Sequence, residues 1–407
     1  MERRYDFVII GAGIIGLSFA LKLSKKHPSS KILLLEKEKT VGQHASGRNS
    51  GVLHSGIYYK EGTLKAKLCA RGAKEMKAFC QEHDLVCKRI GKVIVPTEEA
   101  LDPHVETLYQ RGKSNGVGVE IIDEATLKSL EPEVKTASGR ALLLPDTSVV
   151  NSKEILVKIQ EVLKQRNVDL ITDAQVKTIS LKTNALMTMQ GKVNFGFLIN
   201  AAGTNADKLA TLAGLDHPYT MIPFRGVYFK VKGDIAKRIH RLVYPVPNLD
   251  MPFLGVHTTT TPDGSVYLGP TAMPSFGREN YHGLSNASFG DTSSNFRQLA
   301  TMYFNNTQGL RKHVHYEMMT LLFKRHLLGR AKKLIPNLTV KNIENCAKRG
   351  IRPQLFNKDT KQLEMDFVVK EHKNSIHILN AISPAFTSSL AFVGHVMEKM
   401  EAVERVG

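Results

Sequence analysis

The chain has 407 residues, 42% of them hydrophobic, which is more than one core comfortably serves, so two lobes or one large α/β domain with an inserted lobe are expected. Its 56 basic and 38 acidic residues leave a net charge of +18, but the basic residues are scattered and no dense run of them is interleaved with aromatics, so a solvated basic surface is favoured and no nucleic acid is expected. No apolar run reaches the ~20 residues of a membrane span, which points to a cytoplasmic protein whose basic surface would at most sit peripherally on the inner membrane face.

From the N-terminus, an apolar run up to Ile10 leads into Gly11-Ala12-Gly13-Ile14-Ile15-Gly16, then an amphipathic stretch, a second apolar run ending at Leu35, and Glu36. That order predicts strand, tight turn, helix and strand arranged to hold a dinucleotide. Gly11 permits the turn, Gly13 lets backbone N–H groups approach a pyrophosphate, and Gly16 lets the helix pack close to the sheet. Glu36 stands where a carboxylate accepts hydrogen bonds from ribose hydroxyls. A secretory signal is the competing reading of Arg3-Arg4 and the apolar stretch behind them. Asp6 interrupts it, and Lys22, Lys25 and Lys26 stand where a cleavage site would be needed.

Residues 42–59 are rich in small and hydroxyl side chains, so their backbone and Ser46 or Ser50 can approach phosphate and a flat ring system. Apolar spacing then predicts a helix over 62–83, strand over 87–96, helices over 98–115 and 123–130, and a further helix over 151–168. Strands are expected at 169–172 and 176–181, and an apolar strand at 197–203 runs into the small-residue turn Ala201-Ala202-Gly203. The texture changes from 219 to 273, where strands at 223–229 and 264–269 are separated by turns at Pro245, Pro247 and Pro252. Residues 277–305 read as loop and the stretch to 334 as helical. Near the end, 377–390 spells strand, small-residue turn and helix, a second helix N-terminus available to a cofactor.

These textures predict a split chain: cofactor-binding segments at 1–89, 145–218 and 341–407, and substrate-lobe segments at 90–144 and 219–340. Cys69, Cys80, Cys87 and Cys346 show no metal-ligand spacing and read as buried reduced thiols, so no metal is expected.

The chain resembles the FAD-dependent D-amino-acid-oxidase superfamily, and within it is similar to the L-2-hydroxyglutarate dehydrogenase/oxidase family. The matching stretches are GAGIIG (11–16), GRNSGVLHSGIYY (47–59), LKAKLC (64–69), PFRG (223–226), YPVP (244–247), PFLGVH (252–257), GIRPQ (350–354) and LNAISPAFTSSLA (379–391), spread over nearly the whole length. The resemblance implies an α/β fold: a Rossmann-like FAD-binding domain, discontinuous in sequence, and a second lobe on a mainly antiparallel sheet. It implies non-covalent FAD held by Gly11, Gly13, Ile14, Ile15, Gly16, Glu36, Lys37, Ser46, Arg48, Asn49, Ser50, Gly51, Val176, Ala202, Gly203, Arg352, Ser383, Pro384, Ala385, Phe386, Thr387 and Ser388. The implied reaction is oxidation of an (S)-2-hydroxy acid, with 2-hydroxyglutarate the leading substrate and oxygen, a quinone or an electron-transfer protein as acceptor. The rivals are a glycine- or sarcosine-oxidase-like amine oxidation on the same scaffold and, more remotely, an FAD-dependent protein that acts on nucleic acid.

Such a reaction needs a base for the hydroxyl proton and cations or donors for carboxylates. His54 is the first choice of base and His257 the second, each with a packing histidine as its alternative. Arg225 and Arg352 are candidate carboxylate clamps or, equally, structural salt-bridge residues. Tyr58, Tyr59 and Tyr244 can donate hydroxyls, though core tyrosines do the same to protein partners, and Thr387 serves flavin, substrate or a helix cap. Three positions depart from the resemblance: Thr260 stands where an arginine is usual, Thr271 where a GPNA turn has asparagine, and Asn151 where an aspartate is usual. If that arginine holds the distal carboxylate, the substrate of this chain is a different 2-hydroxy acid.

Overall fold

The computed structural model describes residues 3–247, 255–283, 289–322 and 324–404. An eight-stranded sheet carries the nucleotide-binding half. Its parallel centre runs Gly191–Asn200, Arg3–Ile10, Ile32–Leu35, Asp169–Ile171, and Ser375–Asn380 joins in parallel beside the end of Gly191–Asn200. Val8, Ile9, Leu33 and Leu34 have no exposed surface, because helices cover one face and a second apolar cluster the other. Two hairpins trim the edge: Val176–Ser180 with Ala185–Thr188, and Val368–His372 with Ser375–Asn380. The strand Ala185–Thr188 was not foreseen from the sequence; only Leu186 of it joins an apolar cluster.

The helices Ile14–Lys26, Leu64–Glu82, Ser152–Gln165 and Ala385–Glu404 enclose one core with that sheet. Leu64–Glu82 and Ala385–Glu404 touch at Gly72, where an added Cβ would lie 2.4 Å from Ser388 Cα.

The second lobe is built on a ten-stranded sheet ordered Gln362–Leu363, Ile343–Asn357, Tyr219–Val231, Val266–Gly269, His257–Thr260, Leu242–Pro245, Lys92–Val95, Arg140–Leu144, Glu120–Asp123, with Met273–Pro274 on the side of Tyr219–Val231. Every pairing in it is antiparallel except Leu242–Pro245 against Lys92–Val95. The α/β class, the nucleotide-binding sheet and the mainly antiparallel second sheet are therefore all present. A small sheet of Val52–Leu53, Ser148–Val150 and Cys87–Arg89 lies at the junction of these segments.

Three expectations need correction. Phe289–Phe304 is a helix where loop was expected; its polar residues mask an inner face on which Met302 is buried and Leu299 packs against Ile222, Phe224 and Ala272. The return to the nucleotide-binding half comes later than residue 341. Ile343–Asn357 pairs along Tyr219–Val231 in the second sheet, and the chain rejoins the first only at Val368–His372. Cys69 and Cys80 are buried as expected, but Cys87 and Cys346 are only half-buried. Asn151 supports its helix by accepting the Lys153 N–H at 3.1 Å, a cap an aspartate would make equally well, so that departure is structurally neutral. The turn at Pro252 and residues 252–254 of PFLGVH lie outside the described residues.

Candidate active site

The strand Arg3–Ile10 stops at Gly11, whose φ of +102° and whose Cβ position, 2.6 Å from the Ala201 carbonyl oxygen, exclude any side chain. Gly16 lies so close under this turn that an added Cβ would be 1.9 Å from the Gly11 oxygen, which seats the helix Ile14–Lys26 against the strand end. Gly13 caps that helix with no side-chain bond of its own, and the Ile14 N–H donates to Ser46 Oγ at 2.9 Å. The residues around Ser46 hold their own shape. Asn49 Nδ2 donates to the Ser46 carbonyl at 2.6 Å, and Asn49 Oδ1 accepts the Gly51 N–H at 2.8 Å. Glu36 accepts the Ala12 N–H at 2.8 Å on one oxygen and the Glu38 N–H at 3.0 Å on the other, so it braces the glycine turn as well as facing the cavity.

A cavity of about 820 Å³ runs from this turn into the second lobe. Gly11, Gly13, Ile14, Ile15, Glu36, Lys37, Ser46, Arg48, Asn49, Ser50, Val176, Ala202 and Gly203 line one part of it; Arg352, Ser383, Pro384, Ala385, Phe386 and Thr387 line another. Gly16, Gly51 and Ser388 do not line it. They shape it from behind: Gly51 has φ +78° and no room for a Cβ beside the Val150 oxygen, and Ser388 Oγ donates to the Pro384 carbonyl at 3.0 Å. The helix starts at Ile14 and Ala385 both open on this one cavity, so two sets of helix N–H groups are available to a diphosphate and an electron-rich ring. This donor set and the Cβ-free cradle fit FAD.

At the second-lobe end stand His54, His257, Tyr58, Tyr59, Tyr244, Lys65 and Arg352. His54 follows the short strand Val52–Leu53, and its backbone N–H donates at 3.1 Å to Thr387 Oγ1, which in turn donates to the Val52 carbonyl at 3.3 Å. Thr387 thus ties the start of Ala385–Glu404 to the His54 backbone. His257 Nδ1 lies 2.8 Å from the Gly255 carbonyl, so that nitrogen carries the proton and Nε2 keeps its lone pair. Burial, reinforced by Lys92 and Arg352, pushes both imidazoles down to about 3, so both are neutral near pH 7. Burial also raises the Tyr58, Tyr59 and Tyr244 hydroxyls, which stay protonated donors.

Lys65 and Lys92 were missed by the sequence reading. Lys65 is 7% exposed and burial lowers it to about 8 against the pull of Asp366. Asp366 is itself engaged by the Leu64 and Lys65 N–H groups at 2.8 and 3.1 Å. Lys92 is 1% exposed, at the head of the apolar strand Lys92–Val95. No local signal in the sequence marks Lys92, because its burial comes from strands distant in the chain.

Two expected site residues fall elsewhere. Arg225 does not line the cavity; its Nη1 donates to Asn280 Oδ1 at 3.3 Å beside Arg349, whereas Arg352 and Lys65 do line it. Thr260 does not line the cavity either, since strand alternation puts His257 and Thr259 on one face and Thr260 on the other, where its hydroxyl is 3.5 Å from the Arg241 carbonyl. Its difference from arginine therefore does not remove a cation from the cavity wall. Thr271 meets the Val227 backbone twice, accepting the Val227 N–H at 3.0 Å through Oγ1 and donating its own N–H to the Val227 carbonyl at 3.1 Å.

At the opposite end, Glu38, His44 and Glu279 bring ligand atoms within 4.8 Å of one another, but the Lys37 ammonium already lies among them, 2.8 Å from Glu279 and 3.2 Å from His44 Nε2.

Residues 6–400 match the family model described as FAD dependent oxidoreductase (DAO), and the chain belongs to that family of flavoenzymes. Its relatives narrow the assignment. The chain is 36% identical to the L-2-hydroxyglutarate dehydrogenase of Indibacter alkaliphilus, with 97% of this chain and 98% of that protein covered. It is 34% identical to that of Salmonella houtenae (98% and 94% covered) and 33% identical to the mitochondrial enzyme of Homo sapiens (98% and 89% covered). It belongs with these dehydrogenases, and FAD is its cofactor. The fold is shared with L-alpha-glycerophosphate oxidase from Mycoplasma pneumoniae (TM-score 0.74, 23% identity, 97% and 93% covered) and glycine oxidase from Geobacillus kaustophilus (TM-score 0.70, 18% identity, 97% and 95% covered). Among the described residues no helix is long and apolar enough to cross a membrane.

Proposed function

We propose that this chain oxidises L-2-hydroxyglutarate to 2-oxoglutarate. The observation that carries this reading is the second-lobe end of the cavity, where Arg352 and Lys65 line the wall beside two neutral imidazoles. FAD, when bound, supplies the acceptor for the hydride leaving C2. Arg352 and Lys65 hold carboxylate, the former with a planar fork suited to two parallel hydrogen bonds. Tyr59 and Tyr244 donate hydroxyls. His257 takes the hydroxyl proton on Nε2, the nitrogen that its bond to Gly255 leaves unprotonated, and His54 stands as the second imidazole of the pair. A neutral amino acid would bring one carboxylate to this cation-rich end, which disfavours the amine-oxidase alternative.

Anaerobic mixing of the FAD-loaded protein with L-2-hydroxyglutarate, its D-enantiomer, glycine and sarcosine tests the assignment. Rapid bleaching of the flavin by L-2-hydroxyglutarate alone is expected; bleaching by glycine or sarcosine instead would reverse it.

A peripheral membrane site for reoxidation by a quinone is supported by Phe296 and Phe304, 74% and 73% exposed on the helix Phe289–Phe304, with exposed Arg297 and Arg311 close in sequence. Co-sedimentation with anionic but not neutral vesicles is the expected outcome, and equal recovery with both would remove this part of the reading.

A further inference from the structure

Lys92 is a cation enclosed without an anion. It heads the strand Lys92–Val95, between Leu242–Pro245 and Arg140–Leu144, and is 1% exposed. Among the described residues its Nζ has no hydrogen-bond partner and no carboxylate. What surrounds it is aromatic: the ring centroids of Tyr58 and Tyr244 lie 4.8 and 5.2 Å from Nζ. Those two rings line the cavity, and Tyr244 stacks on His257. The Cys69 thiol is the group that draws on the ammonium, and burial holds that thiol protonated, at about 12. Two π-faces stabilise a desolvated ammonium only in part, and an uncompensated buried charge is costly. Lys65, by contrast, has Asp366 beside it.

We propose that Lys92 selects a dianionic over a monoanionic 2-hydroxy acid: its ammonium, set behind the rings of Tyr58 and Tyr244, lacks one negative charge, and the second carboxylate of the substrate supplies it from the cavity side. This rests on the substrate class proposed above. Lys92 acts through the tyrosine wall and touches neither substrate nor cofactor, so it is a positioning residue. The same charge adds to the burial that keeps His54 and His257 neutral, so the arriving carboxylate offsets the cationic field at both imidazoles as well as at the lysine itself. The ammonium is lowered to about 8 by burial, so an anion arriving near it favours the charged form.

The test uses FAD-loaded protein and two probes of equal chain length, 2-oxoglutarate and 2-oxopentanoate, which ends in a methyl group. Their binding is followed through the change in flavin absorption at about pH 7. Lys92→Met should weaken 2-oxoglutarate about tenfold or more and 2-oxopentanoate less than about threefold. Equal weakening of both makes Lys92 a structural residue, and unchanged discrimination makes it irrelevant; either overturns the inference. Lys92→Arg supplies a second readout, since its charge persists to high pH. Wild-type affinity for 2-oxoglutarate should fall more steeply than that of Lys92→Arg as pH rises through about 8, with Lys65 titrating in both proteins. Parallel curves overturn the inference even if Lys92→Met fails to load FAD. Wild-type protein that binds neither acid overturns the substrate class and this inference with it. Discrimination that survives in Lys92→Met overturns the inference alone.

Discussion

His257 lies face to face with Tyr244, ring centroids 3.9 Å apart and planes 26° from parallel, while its Nδ1 is committed to the Gly255 carbonyl. Stacking fixes the plane of the ring and the hydrogen bond fixes its tautomer, so the Nε2 lone pair has one direction. Replacement by phenylalanine keeps the stack and removes that lone pair. His257→Phe should therefore retain FAD and slow anaerobic flavin reduction by roughly 100-fold or more, the scale of a lost general base. His54→Phe should slow it less, because among the described residues no hydrogen bond fixes the tautomer of that imidazole. Stopped-flow absorbance on both variants decides the order, and the reverse ranking would return His54 to first place.

The same burial sets two pH dependences. The dependence of kcat/KM reports groups of the free enzyme. With His54 and His257 at about 3, the profile should show no acidic limb near 6.5, and should turn down on the basic side near 8 where Lys65 and Lys92 lose charge. Stability has the opposite sensitivity. His54 and His257 at about 3 and His377 at about 4 are lowered from 6.5 chiefly by burial, so below 6.5 the unfolded chain binds protons that the folded chain refuses. The stabilisation is present above 6.5 and is lost as pH falls from there towards 3. Urea midpoints measured from neutral pH downwards, with FAD in excess, should fall across that window. A midpoint that stays constant would show that these histidines charge freely in the folded protein.

The nucleotide-binding half was legible because its signals are local. Gly11, Gly13 and Gly16 sit within one turn of chain; Gly11 and Gly16 are required by backbone approaches that any Cβ would block, and a Cβ at Gly13 would press on the Ser46 hydroxyl at 3.0 Å. Glu36 was readable as an acid after a strand, while its bonds to the Ala12 and Glu38 N–H groups were not, because they depend on how the turn folds back. The reacting end was less legible because its residues come from distant strands. His54, Tyr244, His257 and Arg352 were named on motif and chemistry, and the fold brings all four to one cavity. Arg225 was named as a clamp or, equally, a structural residue, and strand alternation along Tyr219–Val231 sends its side chain to Asn280. Lys92 was passed over because surface is the usual place for a lysine, and nothing in the four residues of its strand announces that both neighbouring strands bury it.

Glu279 reaches from the second lobe to the dinucleotide end of the cavity, where Lys37 Nζ lies at 2.8 Å and Asn205 Nδ2 donates to it at 3.1 Å. Beside it, Tyr281 OH is 2.8 Å from His44 Nδ1, and the Arg278 guanidinium is paired with Asp207. Residues 278–281 thus form a strap across the two halves at the mouth of the cofactor site. Glu279→Gln keeps the shape and removes the charge facing Lys37. FAD should dissociate up to about fivefold faster, given that a partly exposed pair contributes no more than about 1 kcal/mol. Recovery of free-FAD fluorescence after dilution measures this, and wild-type release should also quicken in high salt. An unchanged release rate in the variant would mean that the strap does not hold the cofactor.

Gly72 offers a test of how tightly the cofactor site depends on helix packing. Its Cβ position is 2.4 Å from Ser388 Cα and 2.6 Å from the Thr387 carbonyl oxygen, both backbone atoms in the first turn of the helix Ala385–Glu404. Neither can rotate away, so Gly72→Ala must part the helices Leu64–Glu82 and Ala385–Glu404. Overpacking of this kind costs about 1–3 kcal/mol, against a gain of no more than about 1 kcal/mol from replacing glycine within a helix. The displaced residue would be Thr387, whose Oγ1 holds the His54 N–H, so substrate turnover should fall along with the melting temperature. Gly394→Ala is the control on the same C-terminal helix. Its nearest neighbour is the flexible end of Lys22 at 3.6 Å, so the added methyl fits and the helix gains. Thermal unfolding should show Gly72→Ala lowered and Gly394→Ala level or raised; equal melting of the two would mean that the helix crossing yields without strain.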